Sequence, residues 1–217
     1  MKQDYNFDVD KIKSLSNEEK VYRKKYLNTF LKTGFPNKQI EDWKFTDLNA
    51  ILNKNFDKIT NNFKFDLNKK FKVLENFEHN YILLNNGMLS KSDFNYEDKD
   101  KIVIKNFKNI NTVTPITTNN LTLLNKALSS GGYSLEVFEN YKFKKPLIIY
   151  NYFSENLKNI ILNNSNNIRL NKGSELTVVE YTIDNFKNNF IKNTMDKVSL
   201  DNNTVYKNIT IQNSKSS

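Results

Sequence analysis

Few side chains in this sequence could do chemistry, and they are scattered. The chain has one histidine, His79, and no cysteine. Without thiols it has no disulfide, no zinc ribbon, no thiolate nucleophile and no thiolate ligand of its own. His79 sits in a Phe- and Asn-rich stretch with no second ligand type beside it. It reads as an ordinary surface or loop residue, and a Ser-His-Asp set has no support. Glu41 and Lys44 stand three apart and pair naturally on one helical turn. Proton transfer would need a pocket and a shifted pKa, and the sequence shows neither. Glu18-Glu19 suits a helix start, where negative charge is favoured, and Asp98 with Asp100 falls in a polar loop. Gly131-Gly132 lacks both the Lys-Ser/Thr of a phosphate loop and the third glycine of a dinucleotide fingerprint, so it reads as a turn. No catalytic, cofactor-binding or metal residue is assigned.

The net charge of +9 invites a polyanion partner. Nearly all of it is lysine, however, with arginine only at Arg23 and Arg169. Base reading and bidentate phosphate gripping favour the forked guanidinium. Asparagine makes up about one residue in six. The charge therefore reads as a solvated surface, with no specific nucleic acid expected. A nonspecific polyanion binder would show steep salt dependence. No stretch approaches the roughly 18 apolar residues of a membrane span. The start, Met1 to Tyr5, carries no apolar signal region. The expected location is the cytoplasm, with no membrane partner.

The elements that would position these residues change character along the chain. Residues 1 to about 13 read as a loose polar arm. Ser16-Asn17-Glu18-Glu19 fits a capping box, followed by an apolar stripe of Tyr22, Tyr26 and Phe30 with Leu27 and Leu31. Gly34 offers the left-handed cap and Pro36 prevents continuation. Residues 36–56 read as a broken second helical element. Ile40 and Trp43 share a face, Thr46 caps, and Leu48, Ile51 and Leu52 point inward. The expected organisation is a helical region over 1–56, a linker or irregular segment over 57–80, and a strand-rich region over 81–217. Strand-like runs appear at Tyr81–Leu84, Lys101–Phe107, Tyr133–Phe138, Leu147–Phe153, Ile160–Leu162, Leu176–Thr182 and Thr204–Ile211. A helical signal at Leu121–Leu128 interrupts them. Leu170–Leu176 and Leu200–Tyr206 share one pattern about 30 residues apart: an apolar residue, a polar turn, a hydroxyl residue, then a strand. That period fits a β-solenoid; a β-sandwich with polar turns gives a similar pattern.

The most specific motif runs from Thr33 to Leu48. Gly34, Pro36, Glu41, Trp43, Lys44, Phe45, Thr46 and Leu48 match a Gly-x-Pro turn followed by Glu-x-Trp-Lys-aromatic-Thr-x-Leu, with Phe45 where tyrosine is expected. Tyr81–Ser90, Leu124–Leu128 with Gly132, Lys145–Ile149, Arg169–Glu180 and Asn208–Gln212 follow in matching order. On these residues the chain resembles the N-terminal half of the SufB/SufD family of scaffolds for SUF iron–sulfur cluster assembly, on the SufD side because cysteine is lacking. The resemblance implies a small helical region and then a right-handed parallel β-helix. It implies a non-catalytic subunit partnered by SufB-like and SufC-like chains, with the cluster and ATP handled by the assembled complex. Family contacts and an interface histidine are expected toward the C-terminal side, beyond Ser217, so no functional residue carries over and His79 is not that histidine. In this reading Trp43 anchors against the β-helix and Thr46 caps a helix. A solenoid interrupted at residues 204–212 would present a bare edge, so self-association is expected there. The competing expectation is a carbohydrate-active β-helix lyase or hydrolase, which would need charged groups and exposed aromatics along one groove.

Overall fold

Ser16 starts the first helix as its spacing predicts. The computed structural model describes residues 4–13, 15–62, 72–107, 119–154, 157–183 and 189–212. Expectations placed on 63–71 and 213–217 lie outside these residues. The Glu19 amide donates to Ser16 Oγ at 3.2 Å, and the Ser16 amide donates to Glu19 Oε2 at 2.8 Å. This closed box opens helix α1, Asn17–Thr33. Gly34, at φ 70°, ends it by donating its N–H to the Phe30 carbonyl. The buried line of α1 is Arg23, Leu27 and Phe30, spaced i, i+4, i+7. Tyr26 packs at its side, while Tyr22 and Leu31 of the expected stripe face solvent. A 17-residue helix turns about 100° per residue, so only one line of it reaches the core.

The arm is not loose. Asp4–Asn6 forms β1, parallel to β2 at Lys58–Thr60 inside the segment read as irregular. Val9 and Ile12 are buried, and the Tyr5 and Phe7 rings stack at 5.3 Å beside Phe30 and Phe35. Aromatic burial outweighs the polar composition of the arm. Helix α2, Leu48–Asn55, buries Leu52 and packs Leu48, but leaves Ile51 exposed. Helix α3, Asn120–Leu128, buries Leu123, Leu124, Ala127 and Leu128. The three helices, the arm and Ile161 share one apolar cluster.

The remaining strands are β3 (Asn80–Asn85), β4 (Met88–Asp93), β5 (Ile102–Asn106), β6 (Tyr133–Val137), β7 (Leu147–Tyr152), β8 (Lys158–Leu170), β9 (Glu175–Ile183), β10 (Asn189–Leu200) and β11 (Val205–Gln212). The chain is mainly β, in two mixed sheets. One runs β1-β2-β8-β6-β5 with β10 also on β8, and the other runs β11-β9-β7-β3-β4. From β6 onward, successive strands alternate between the sheets, and from β8 onward each pairs parallel to the strand two earlier. Ile160 stands opposite Phe190 and Glu175 opposite Val205, an offset of 30 residues in both sheets. The sequence repeat is thus a pairing register. A sandwich made of hairpins would instead pair β8 with β9. Among the described residues, antiparallel pairing is confined to β3–β4 and β5–β6.

Strand β8 is far longer than its expected core of Ile160–Leu162. Its middle, Asn163-Asn164-Ser165-Asn166-Asn167, has poor strand propensity. Neighbours decide the matter: β10 pairs along the whole of β8, and Gly131 bridges Asn164. Gly131-Gly132 is therefore a close backbone crossing rather than a free turn. A Cβ on Gly132 would lie 1.8 Å from the Ser165 carbonyl oxygen.

Candidate functional site

The motif that carries the resemblance is held to the core near both ends, at Phe35 and Leu48, and loops into solvent between them. Phe35 is buried against Phe30, with ring centroids 5.1 Å apart and nearly perpendicular. The Pro36 carbonyl accepts the Asn49 amide at 3.1 Å, tying the Gly-x-Pro turn to α2. Between these fixed points the chain makes one short 3-10 turn, Glu41–Trp43. The Lys44 ammonium pairs with Glu41 at 2.7 Å and lies 5.3 Å from the centre of the Phe45 ring. Phe45 itself is 89% exposed.

Two expectations are corrected here. Asp47, not Thr46, caps α2, accepting the Ala50 amide at 2.8 Å, because the helix begins one residue later than its pattern implied. Trp43 is half-buried on the short turn and is absent from the buried clusters among the described residues, so it is no core anchor. The expected Glu41–Lys44 pair is present, with both side chains half or more exposed to solvent.

His79 is also corrected, from a surface residue to a buried one, 7% exposed. Its Nδ1 lies 2.6 Å from the Phe77 carbonyl oxygen and its Nε2 2.8 Å from the Tyr150 hydroxyl, which also accepts the Leu74 amide. The Phe77 ring stacks on the imidazole. His79 thus fastens residues 72–79 across the outer face of β3 and β7. Among the described residues, no group of three or more His, Cys, Asp or Glu side chains could hold a metal ion.

Two polar centres escaped the sequence reading. Glu97 is buried and accepts from four donors: the Asn80 side-chain amide at 2.7 Å, the Tyr141 hydroxyl at 2.8 Å, the Lys144 amide at 3.1 Å and the Lys145 amide at 3.0 Å. Burial alone would raise its carboxyl pKa; these hydrogen bonds outweigh burial and hold it below the ordinary value. The Tyr141 hydroxyl is pushed up to about 12, by burial first and then by the Glu97 carboxylate. Nothing local marks Glu97, since its partners lie 17 to 48 residues away. Arg23 is 5% exposed, and its guanidinium donates to the Ser129 carbonyl at 2.6 Å and the Ala127 carbonyl at 3.4 Å. It thereby caps the C-terminal end of α3, where a cation is favoured. Its spacing with Leu27 and Phe30 was a readable signal.

Asp98 starts a short turn by accepting the Asp100 amide, and Glu18-Glu19 occupies the first turn of α1. The Asp98 and Glu19 carboxylates accept from backbone amides. The arrangement as a whole presents surfaces and edges: the protruding Phe45 turn, and the outer edges of β10 and β11, which carry no further strand among the described residues. No described helix is long and apolar enough to cross a membrane.

A family model described as the SufBD protein N-terminal region matches residues 3–149, a span that includes the Phe45 turn, Glu97 and α3. No curated protein matches the chain. By that match the chain belongs to the SufBD family, through its N-terminal region.

Proposed function

We propose that this chain is a SufD-like scaffold subunit of SUF iron–sulfur cluster assembly, acting by binding in the cytoplasm with SufB-like and SufC-like partners. The observation that carries the reading is the family match over residues 3–149. The absence of cysteine favours the SufD side, since a chain without thiols offers no thiolate to a nascent cluster. In this reading the cluster is cargo and ATP belongs to a partner. The alternating strands with their 30-residue parallel register support a right-handed parallel β-helix as the underlying architecture. The outer edge of β11, bearing exposed Val205, Ile209 and Ile211, supports self-association by strand addition.

Co-expression of the tagged chain with SufB-like and SufC-like proteins tests the partner assignment. Stoichiometric co-purification of either one is expected. If neither binds while a full-length relative binds both, the partner assignment to this region fails. Sedimentation of the chain at high concentration tests the edge: a strictly monomeric boundary counts against strand addition.

A further inference from the structure

Between the two sheets the core is not uniformly apolar. One cluster holds Leu84, Tyr133, Leu135, Ile149, Ile168 and Val178. A second holds Phe153, Leu157, Ile160 and Leu162, with Phe190 against it. Asn151 and Glu180 from one sheet and Asn164, Asn166, Lys192 and Thr194 from the other lie between them, around a cavity of about 10 Å³. That volume is the size one water molecule requires.

The lining is polar enough to hold water. The Thr194 hydroxyl oxygen is buried and has no hydrogen-bond partner among the described residues. Glu180 and Lys192 line the same cavity from opposite sheets, and no ion pair joins them directly among the described residues. A buried hydroxyl without a partner costs free energy comparable to a lost hydrogen bond. A small cavity lined by Thr194, Glu180, Lys192 and three asparagines, Asn151, Asn164 and Asn166, has polar groups enough to give a water the two to four partners it needs.

We propose that this cavity is a specific site for one ordered water, which completes the bonding of Thr194 and links Glu180 of β9 to the β10 side of the cavity. The water fastens the two sheets where their apolar clusters part. The inference is independent of the assignment to cluster assembly.

A high-resolution crystal structure of the unaltered chain is the first test. A solvent peak within hydrogen-bonding distance of Thr194 Oγ1 and of Glu180 or Lys192 is expected. A dry cavity, or a Thr194 hydroxyl bonded directly to a protein group, overturns the proposal. Thermal unfolding of Thr194→Val supplies the second test through its sign. Removing a hydroxyl that holds a water lowers the unfolding midpoint by a few degrees, whereas removing a partnerless one leaves it unchanged or raises it. Thr194→Ser, which keeps the hydroxyl, is expected to retain the solvent peak. If Thr194→Val does not fold, the solvent peak in the unaltered chain and in Thr194→Ser decides.

Discussion

Four donors now converge on the Glu97 carboxylate, and replacing it with an amide removes the charge and one of the two acceptor oxygens. Glu97→Gln is expected to cost about 1–3 kcal/mol at neutral pH, read as a lower denaturant midpoint. The sign of the pH dependence follows from the depressed folded pKa. The contribution is complete above the ordinary glutamate value of 4.5 and is lost as pH falls through the folded value. The gap between the unaltered chain and Glu97→Gln should therefore be widest at neutral pH and narrow in acid; a constant gap would show that the carboxylate charge is not what matters. Arg23→Ala removes the cap on α3 and buried aliphatic contact, and should cost about 2 kcal/mol in the same assay. Phe45→Ala is the contrasting case. Its ring is 89% exposed, so its stability should change by less than about 0.5 kcal/mol. A large loss there would mean that the ring packs in solution.

The elements are held in register by turns and crossings that tolerate few residues. Asn140, Gly173 and Asn203 all have positive φ in three stacked turns. The Asn140 amide donates to the Lys172 carbonyl at 2.8 Å, and the Gly173 amide to the Asn202 carbonyl at 2.9 Å. A Cβ on Gly173 would stand 2.4 Å from Asn140 Oδ1 and would carry the strain of φ 70°. Gly173→Ala should destabilise by about 1–2 kcal/mol, and Asn140→Gly in the same chain should recover part of the loss by removing the steric contact. Gly132→Ala meets backbone instead of a side chain, at the Ser165 carbonyl. Its cost should exceed about 3 kcal/mol, and circular dichroism should show lost strand signal. A folded, stable variant would refute the close crossing. The asparagine ladder on β8 and β10 also binds α3: Asn125 donates to the Asn164 and Asn193 carbonyls, and Asn193 donates to Asn163. The asparagine excess therefore has structural work at some positions, beyond a solvated surface.

At the scale of the molecule, protection should follow the layers. Strands β7 and β8 are paired on both edges and buried by neighbours, whereas β11 is paired on one edge and largely exposed. Amide hydrogen exchange should therefore be slowest in β7 and β8 and fastest, among the long strands, in β11. Equal protection in β11 would indicate a further strand or partner along its edge.

What could be read from one sequence was local or periodic. The capping box at Ser16, the stop at Gly34, α3 and most strand centres depend on neighbours within a few residues, and the 30-residue repeat is a pattern that a parallel register must leave in the chain. The Gly34–Leu48 motif likewise announced the family. Tertiary structure decided the rest, because burial and polar satisfaction depend on partners far along the chain. The polar arm became β1 by packing on Phe30, and the asparagine run became β8 because β10 and α3 enclose it. His79 went inside because Tyr150 meets it, 71 residues away, and Glu97 gained its role from donors on the 141–145 turn. Trp43 stayed out because its turn closes on its own backbone, Trp43 donating to Ile40 and Thr46 to Trp43, and leaves the ring half in water. No local propensity encodes those distances, since each contact forms only after the sheets have aligned.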